Sequence, residues 1–423
     1  MSTGRPVVLD PTGRDIHGEA DHLRALGPAT LVELPGGVLA WSINSYEVGK
    51  ALLSAPNVSK SARRHWPAFY NGEIPPDWEM ISWVAMDNIS TTFGGDHRRL
   101  RRLTAKAFGS RRAEQVRPMA THMVNTLLDR MADAADAGEV VDLKAAFAYP
   151  LPGMLVAELI GMSEEARVAA AKVIDMMTAT NITPEQAQGV LLGWRDAITD
   201  LIALKRAQPG DDITSDLIAA RDEDGSLLTE QELVDTIFAI LGAGSETTIN
   251  FFDNAITQLL THPEQLELVK SGQVSWDDVI EEVLRLESPL ASLPMRFAVE
   301  DIQLDGVTIH KGDPILINYA ALGRDPALHG ESAGVFDVTR QHKEHLSFGH
   351  GAHYCLGAGI ARMVAKTGLS ALFERFPRMT LAVSAKDLVP YPTFIMNGNR
   401  QLPVHLSGAL TWREGEQSAL GRA

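Results

Sequence analysis

The chain is 423 residues long, 45% hydrophobic and 22% charged, with 38 basic against 54 acidic residues and a formal net charge of −16. Its 35 glycines and 22 prolines are close to average usage, which excludes collagen-like and disordered classes. The acidic balance excludes a general nucleic-acid binder, because no surplus of Lys and Arg exists to neutralise phosphates. A single cysteine, Cys355, permits no internal disulfide, as in proteins of the reducing cytoplasm. The opening Met1 to Leu9 lacks a basic segment followed by an apolar run, and no stretch of about twenty apolar residues occurs, so neither export nor membrane insertion is expected.

Taken in chain order, helical periodicity covers 19–26 and 46–53, then 97–108, 112–137, 154–161, 186–206 and 215–221. It continues over 230–260, 276–286 and 356–376. Strand patterns are fewer: 29–34 and 38–43 form a hairpin around Pro35-Gly36-Gly37, and 293–298, 302–304, 307–309 and 314–318 suggest a small sheet. No linker or repeat divides the chain, so one domain is expected over 1–406, mainly α with small β-sheets, followed by a polar tail over 407–423.

The segment from Thr229 is the most informative. Thr229-Glu230-Gln231-Glu232 reads as a capping box, and the helix that follows is roughly 45 Å long at 1.5 Å per residue. Leu233, Val234, Ile237, Phe238, Ile240 and Leu241 make it apolar nearly all round, which marks a helix through the middle of the protein. At its centre Gly242-Ala243-Gly244-Ser245-Glu246-Thr247-Thr248 places two glycines, a carboxylate and hydroxyls where packing prefers leucine. Polar residues in a buried helix point to a site, with a deformed backbone and room for small molecules. The duller alternative is a hydroxyl bonded back to a helix carbonyl.

Around the cysteine the chain reads Phe348-Gly349-His350-Gly351-Ala352-His353-Tyr354-Cys355-Leu356-Gly357. This turn delivers Cys355 to a helix start, where N–H groups and the dipole lower a thiol pKa and favour a metal-ligating thiolate. A lone cysteine is more often just buried. Here, however, the run matches F-G-x-G-x-H/R-x-C-x-G at all six informative positions, a coincidence expected on the order of 10⁻⁵ times by chance. The sequence strongly resembles the cytochrome P-450 family of haem-thiolate monooxygenases. Ala243 to Thr248 looks like that family's oxygen-activation motif, Glu282-Val283-Leu284-Arg285 like its E-x-x-R, and Phe336, Asp337 and Arg340 like the segment preceding its haem loop.

The resemblance implies a single α-rich prism with the long helix over haem b, Cys355 as axial thiolate, and Phe348, Gly349, Gly357 and Ala243 against the cofactor. It implies His97, Arg101, Arg296 and His353 as donors to the propionates. Glu246 and Thr247 would deliver protons during dioxygen activation, and Glu282, Arg285 and Arg340 would form a buried structural network rather than an exposed helix pair. The product would be a hydroxylated C–H bond. A peroxide-driven peroxygenase would not need the acid–alcohol pair, a non-catalytic haem sensor would need a signalling domain for which the length leaves no room, and a cysteine hydrolase would need a base that no motif supplies.

Trp83, Met86, Met177, Phe238, Ala239, Leu290, Leu293 and Phe394 are expected to line a large apolar pocket, although residues of these types are as often simple core. The stretches Trp83 to Asn88 and Asp96 to Arg101 resemble actinobacterial members that oxidise steroids or macrolide-like polyketides. One haem domain leaves no space for a fused reductase, so the expected partners of this monomer are a ferredoxin and its ferredoxin reductase. The cluster Arg98, Arg99, Arg101, Arg102, Lys106, Arg111 and Arg112 suggests a basic docking patch.

Overall fold

Thr229 and Glu232 close the capping box: the Thr229 hydroxyl accepts the Glu232 N–H at 3.2 Å, and the Glu232 carboxylate accepts the Thr229 N–H at 2.9 Å. From this cap the chain is α-helical over Glu230–Thr261. The computed structural model describes residues 5–108, 110–136, 139–163, 165–168, 183, 185–186, 195–304 and 306–407. Within them the central helix, about 48 Å long, is the axis on which helices Pro150–Ile160, Arg195–Ala207, Trp276–Leu286 and Ala358–Arg375 pack. Leu233, Ile237, Phe238, Phe252, Ile256 and Leu259 bury different sides of it in one core.

The helix is continuous through the glycines that suggested deformation. Gly244 serves packing instead: a Cβ there would lie 2.8 Å from Val156 Cγ2, so the small residue lets Pro150–Ile160 approach.

The hairpin Ala29–Leu34 with Val38–Ile43 pairs in register from Ala29 opposite Ile43 to Leu34 opposite Val38. It belongs to a six-stranded sheet ordered Val7–Val8, Ala29–Leu34, Val38–Ile43, Pro314–Asn318, Ser292–Ala298, Val58–Ser59. Ile302–Leu304 and Val307–Ile309 pair with each other in a separate ribbon. A third sheet joins Thr380–Leu381, Pro403–His405 and Val140–Asp142, which the sequence did not suggest because strands of two or three residues are too short to show alternation.

Helix ends moved by a few residues. Asp15 caps a helix that begins at Ile16 rather than at 19, its side chain accepting the Gly18 N–H, and the helix after the cysteine loop begins at Ala358 rather than 356. Most of 186–194 and the tail 408–423 lie outside the described residues. Among the described residues no helix is long and apolar enough to cross a membrane.

Glu282 and Arg285, both 0% exposed, lock the chain that leads into the cysteine loop. Arg285 donates Nε and Nη2 to the Glu282 carboxylate at 2.8 and 2.7 Å, and Nη1 to the carbonyls of Gly323 and Ala333 at 2.8 and 2.7 Å. Glu282 also accepts the Asp337 N–H at 3.0 Å and Arg340 Nε at 3.3 Å. The expected network is therefore real and buried, not an exposed pair. Glu282→Ala strands two guanidinium groups and is expected to cost about 3 to 5 kcal/mol. Chemical denaturation checks this, and a variant of ordinary stability would refute it.

Candidate active site

The cysteine loop is held from both ends. Cys355 N–H donates to the Phe348 carbonyl at 2.9 Å, and Gly349 N–H to the Leu346 carbonyl at 2.7 Å. Gly351 has φ +69°, and a Cβ there would sit 2.9 Å from Ser54 Cα, so both backbone angle and close packing require glycine. Behind the loop, Arg362 donates Nε and Nη2 to Glu281 at 2.6 and 3.0 Å while its guanidinium lies 4.4 Å from the Phe348 ring centroid. His345 accepts the Ser347 N–H on Nδ1, which leaves Nε2 to donate to Glu281 at 3.0 Å. Against burial, which alone would raise it, Arg362 and His345 hold the Glu281 carboxyl at about 2.

Cys355 opens onto a cavity of about 400 Å³ and is accessible from it. The expectation that the helix start lowers its thiol pKa is corrected: burial pushes it up and prevails over the Gly357 and Ala358 N–H groups and the charges of Arg101 and Arg362. The donors act in the expected direction, but the helix begins at Ala358, and the Gly357 and Ala358 N–H groups do not outweigh burial. Gly357 brings its backbone close, since a Cβ there would stand 3.9 Å from Sγ.

One end of the cavity is cationic. His97 and Arg101 project from helix Gly94–Ala105, Arg296 from strand Ser292–Ala298, and His353 from the turn Gly351–His353. The rings of His97 and His353 have centroids 3.9 Å apart, and Arg101 Nη2 donates to the Tyr354 carbonyl at 2.7 Å. Burial, then Arg101, Arg296 and Arg98, lowers His97 to about 4; burial, then His97, Arg296 and Lys60, lowers His353 to about 2. Lys60, which the sequence reading missed, joins this group: it is buried, lines the cavity, and reaches only the Pro294 carbonyl at 3.5 Å. Nothing in Ser59-Lys60-Ser61 distinguishes it from a surface lysine; only tertiary burial does.

Among the described lining residues Glu246 is the sole carboxylate, so Arg101 and Arg296 have no acidic partner inside the cavity. His97 Nε2 is buried without a hydrogen-bond partner. These are vacancies that an anion would satisfy.

Across the cavity, Ala243, Glu246 and Thr247 lie on the central helix as expected. The Thr247 hydroxyl donates to the Ala243 carbonyl at 2.7 Å. Trp83, Met86, Phe238, Ala239, Leu290 and Leu293 line the remaining wall. Phe394 does not: it packs in the core with Trp66, Trp78 and Phe297, whereas Met396, bridged to Leu290, reaches the cavity. Met177 lies outside the described residues.

The expected basic patch is partly neutralised. Arg99 pairs with Glu232, Arg102 bidentately with Asp222, and Arg112 with Asp216 and Asp211. Lys106 donates to the Arg221 carbonyl at 2.6 Å, Arg98 is exposed, and the Arg111 side chain is outside the described set. The acids that cancel these charges, Asp211, Asp216, Asp222 and Glu232, are far away in sequence, so the cluster looked free.

A thiol beside cations without acidic partners fits haem b, an anionic cofactor that takes a thiolate ligand, and so a haem-thiolate monooxygenase. The chain belongs to the cytochrome P450 family. The Cytochrome P450 profile matches residues 194–271 and 276–397. The 2-hydroxy-5-methyl-1-naphthoate 7-hydroxylase of Streptomyces carzinostaticus is 48% identical over 403 residues, covering 95% of this chain and 98% of that one. Cytochrome P450 monooxygenase PikC of Streptomyces venezuelae is 35% identical over 423 residues, covering 99% and 97%. The structure of CYP154A1 from Streptomyces coelicolor A3(2) superposes with TM-score 0.89 at 48% identity, covering 95% and 100%. Testosterone-bound CYP154C4 from Streptomyces sp. ATCC 11861 superposes with TM-score 0.91 at 40% identity, covering 96% and 100%.

The segment over the cavity is pinned by Asp235, also missed in the sequence. Its Oδ2 accepts the Asp87 N–H at 2.7 Å and its carbonyl accepts Asn88 Nδ2 at 3.3 Å. Asp235→Ala removes the first bond and is expected to cost about 1 to 3 kcal/mol. It should also speed amide exchange at Asp87 far more than in the core; unchanged exchange there would show that the segment is held by other contacts.

Proposed function

We propose that this P450 hydroxylates a C–H bond of a large, flat, apolar substrate of the steroid or polyketide kind, in the cytoplasm, with electrons from a ferredoxin and ferredoxin reductase. One observation carries the reading: the cavity joins a thiol floor and a cationic end free of carboxylates to walls that are otherwise almost wholly apolar. The relatives support the substrate class, since one acts on a methylated naphthoate and a similar structure holds testosterone.

In this proposal Cys355 would ligate the haem iron through its thiolate, which the N–H groups of Gly357 and Ala358 would hydrogen-bond. Arg101, Arg296, His97 and His353, with Lys60, would hold the propionates, and Phe348, Gly349 and Ala243 would pack against the cofactor. Bound haem supplies dioxygen activation and oxygen transfer to carbon. Thr247 has committed its hydrogen to the Ala243 carbonyl, so Oγ1 accepts a hydrogen bond from a water in the cavity. Glu246, buried one residue earlier, passes protons to that water, and the apolar wall keeps bulk solvent from the reacting carbon.

With carbon monoxide, the reduced enzyme is expected to show the strongly red-shifted Soret band of thiolate ligation; a band typical of histidine-ligated haem in folded protein would overturn the role of Cys355. Thr247→Ala is expected to keep haem content and substrate affinity but lower product per electron about tenfold or more, with hydrogen peroxide released instead. Unchanged coupling would assign proton delivery to another group.

A further inference from the structure

Threonines inside the helices of this protein commonly return their hydroxyl hydrogen to the carbonyl four residues back. Thr121, Thr126, Thr247, Thr261 and Thr367 all do so, to Arg117, His122, Ala243, Thr257 and Met363. Thr236 does not. It is 1% exposed, its Oγ1 has no hydrogen-bond partner, and it lines the cavity. Thr104 and Thr257 are likewise unpartnered, but neither reaches the cavity. A buried hydroxyl without a partner is unfavourable and wants an acceptor.

Position decides which acceptor. Residues 236, 240, 243 and 247 recur at helical spacing, and all four line the cavity, so they share one face of the central helix. Seven residues separate Thr236 from Ala243, a rise of about 10 Å. Among the described residues, the polar side chains of the cavity wall near Thr236 are already engaged, and the unpartnered Oδ1 of Asp235 does not line the cavity. Asn88 donates to the Asp235 carbonyl and accepts from the Ser90 N–H, and the Thr91 hydroxyl donates to the Met86 carbonyl.

We infer that Thr236 is a specificity residue that donates a hydrogen bond to a carbonyl oxygen of the substrate, and that the substrate class is an elongated apolar molecule with that oxygen about 10 Å from the carbon oxidised beside Ala243. The inference rests on the proposed substrate reading and narrows it. A rigid fused-ring ketone satisfies the spacing, and the oxidised carbon then lies at the end of the molecule remote from the ketone.

The test uses the full-length haem-loaded enzyme and two probes that differ in one oxygen, 5α-androstan-3-one and the parent hydrocarbon 5α-androstane, with binding measured by equilibrium dialysis. Thr236→Val should weaken the ketone about fivefold and leave the hydrocarbon unchanged, while Thr236→Ser restores ketone affinity. Hydroxylation of the ketone should fall at the remote ring in the wild type and spread over several positions in T236V. Equal ketone binding by wild type and T236V, or equal losses for both probes, overturns the hydrogen bond while leaving the substrate class standing. If the wild type binds neither probe, the inference and the proposed substrate class fall together.

Discussion

A 32-residue helix crosses the interior of this protein, and most of the architecture follows from keeping it dry. A helix satisfies its own backbone hydrogen bonds, so it traverses an apolar core without orphaned amides except at its ends, where the Thr229 capping box and the His262 N–H meet that need. Because it is apolar on several sides, it must be covered on several sides, and helices Pro150–Ile160, Arg195–Ala207, Trp276–Leu286 and Ala358–Arg375 are among those that pack against it. One face of it, from Thr236 to Phe251, is open to the cavity, and there Ala243 and Thr247 keep the side chains small.

Charge is distributed by the same logic of desolvation. Away from the cationic end of the cavity, ions are matched: buried Glu282 with Arg285 and Arg340, and half-buried Glu281 with Arg362 and His345. Inside the cavity, Lys60, Arg101 and Arg296 face a space whose described lining offers one carboxylate, Glu246, on the central helix. Leaving a buried cation without an anion costs far more than an exposed pair contributes, so unmatched cations in a well-matched protein mark where an anionic cofactor belongs.

The paired surface cations make the complementary point. Arg102 and Asp222 sit on the surface in bidentate contact, and such a pair has little field left to steer a partner. The run of basic residues on helix Gly94–Ala105 therefore carries less free charge than the sequence alone implies.

Local signals were readable in the sequence because local physics produces them. The capping box at Thr229, the apolar periodicity behind it, the hairpin around Pro35-Gly36-Gly37, and the glycines and cysteine of the loop at 348–357 each depend on residues within a few positions of one another. Lys60, Thr236, Asp235, the Phe394 and Met396 exchange, and the neutralised arginines were not readable. Each depends on which distant residue comes to lie beside it: Lys60 beside Arg296, Asp235 beneath Asp87, Phe394 against Trp78, Arg99 against Glu232. The sequence by itself determined most of the described helices, the cysteine loop and the class of chemistry; tertiary packing alone decided which polar groups are left unpaired around the cavity, because desolvation acts on neighbours in space rather than along the chain.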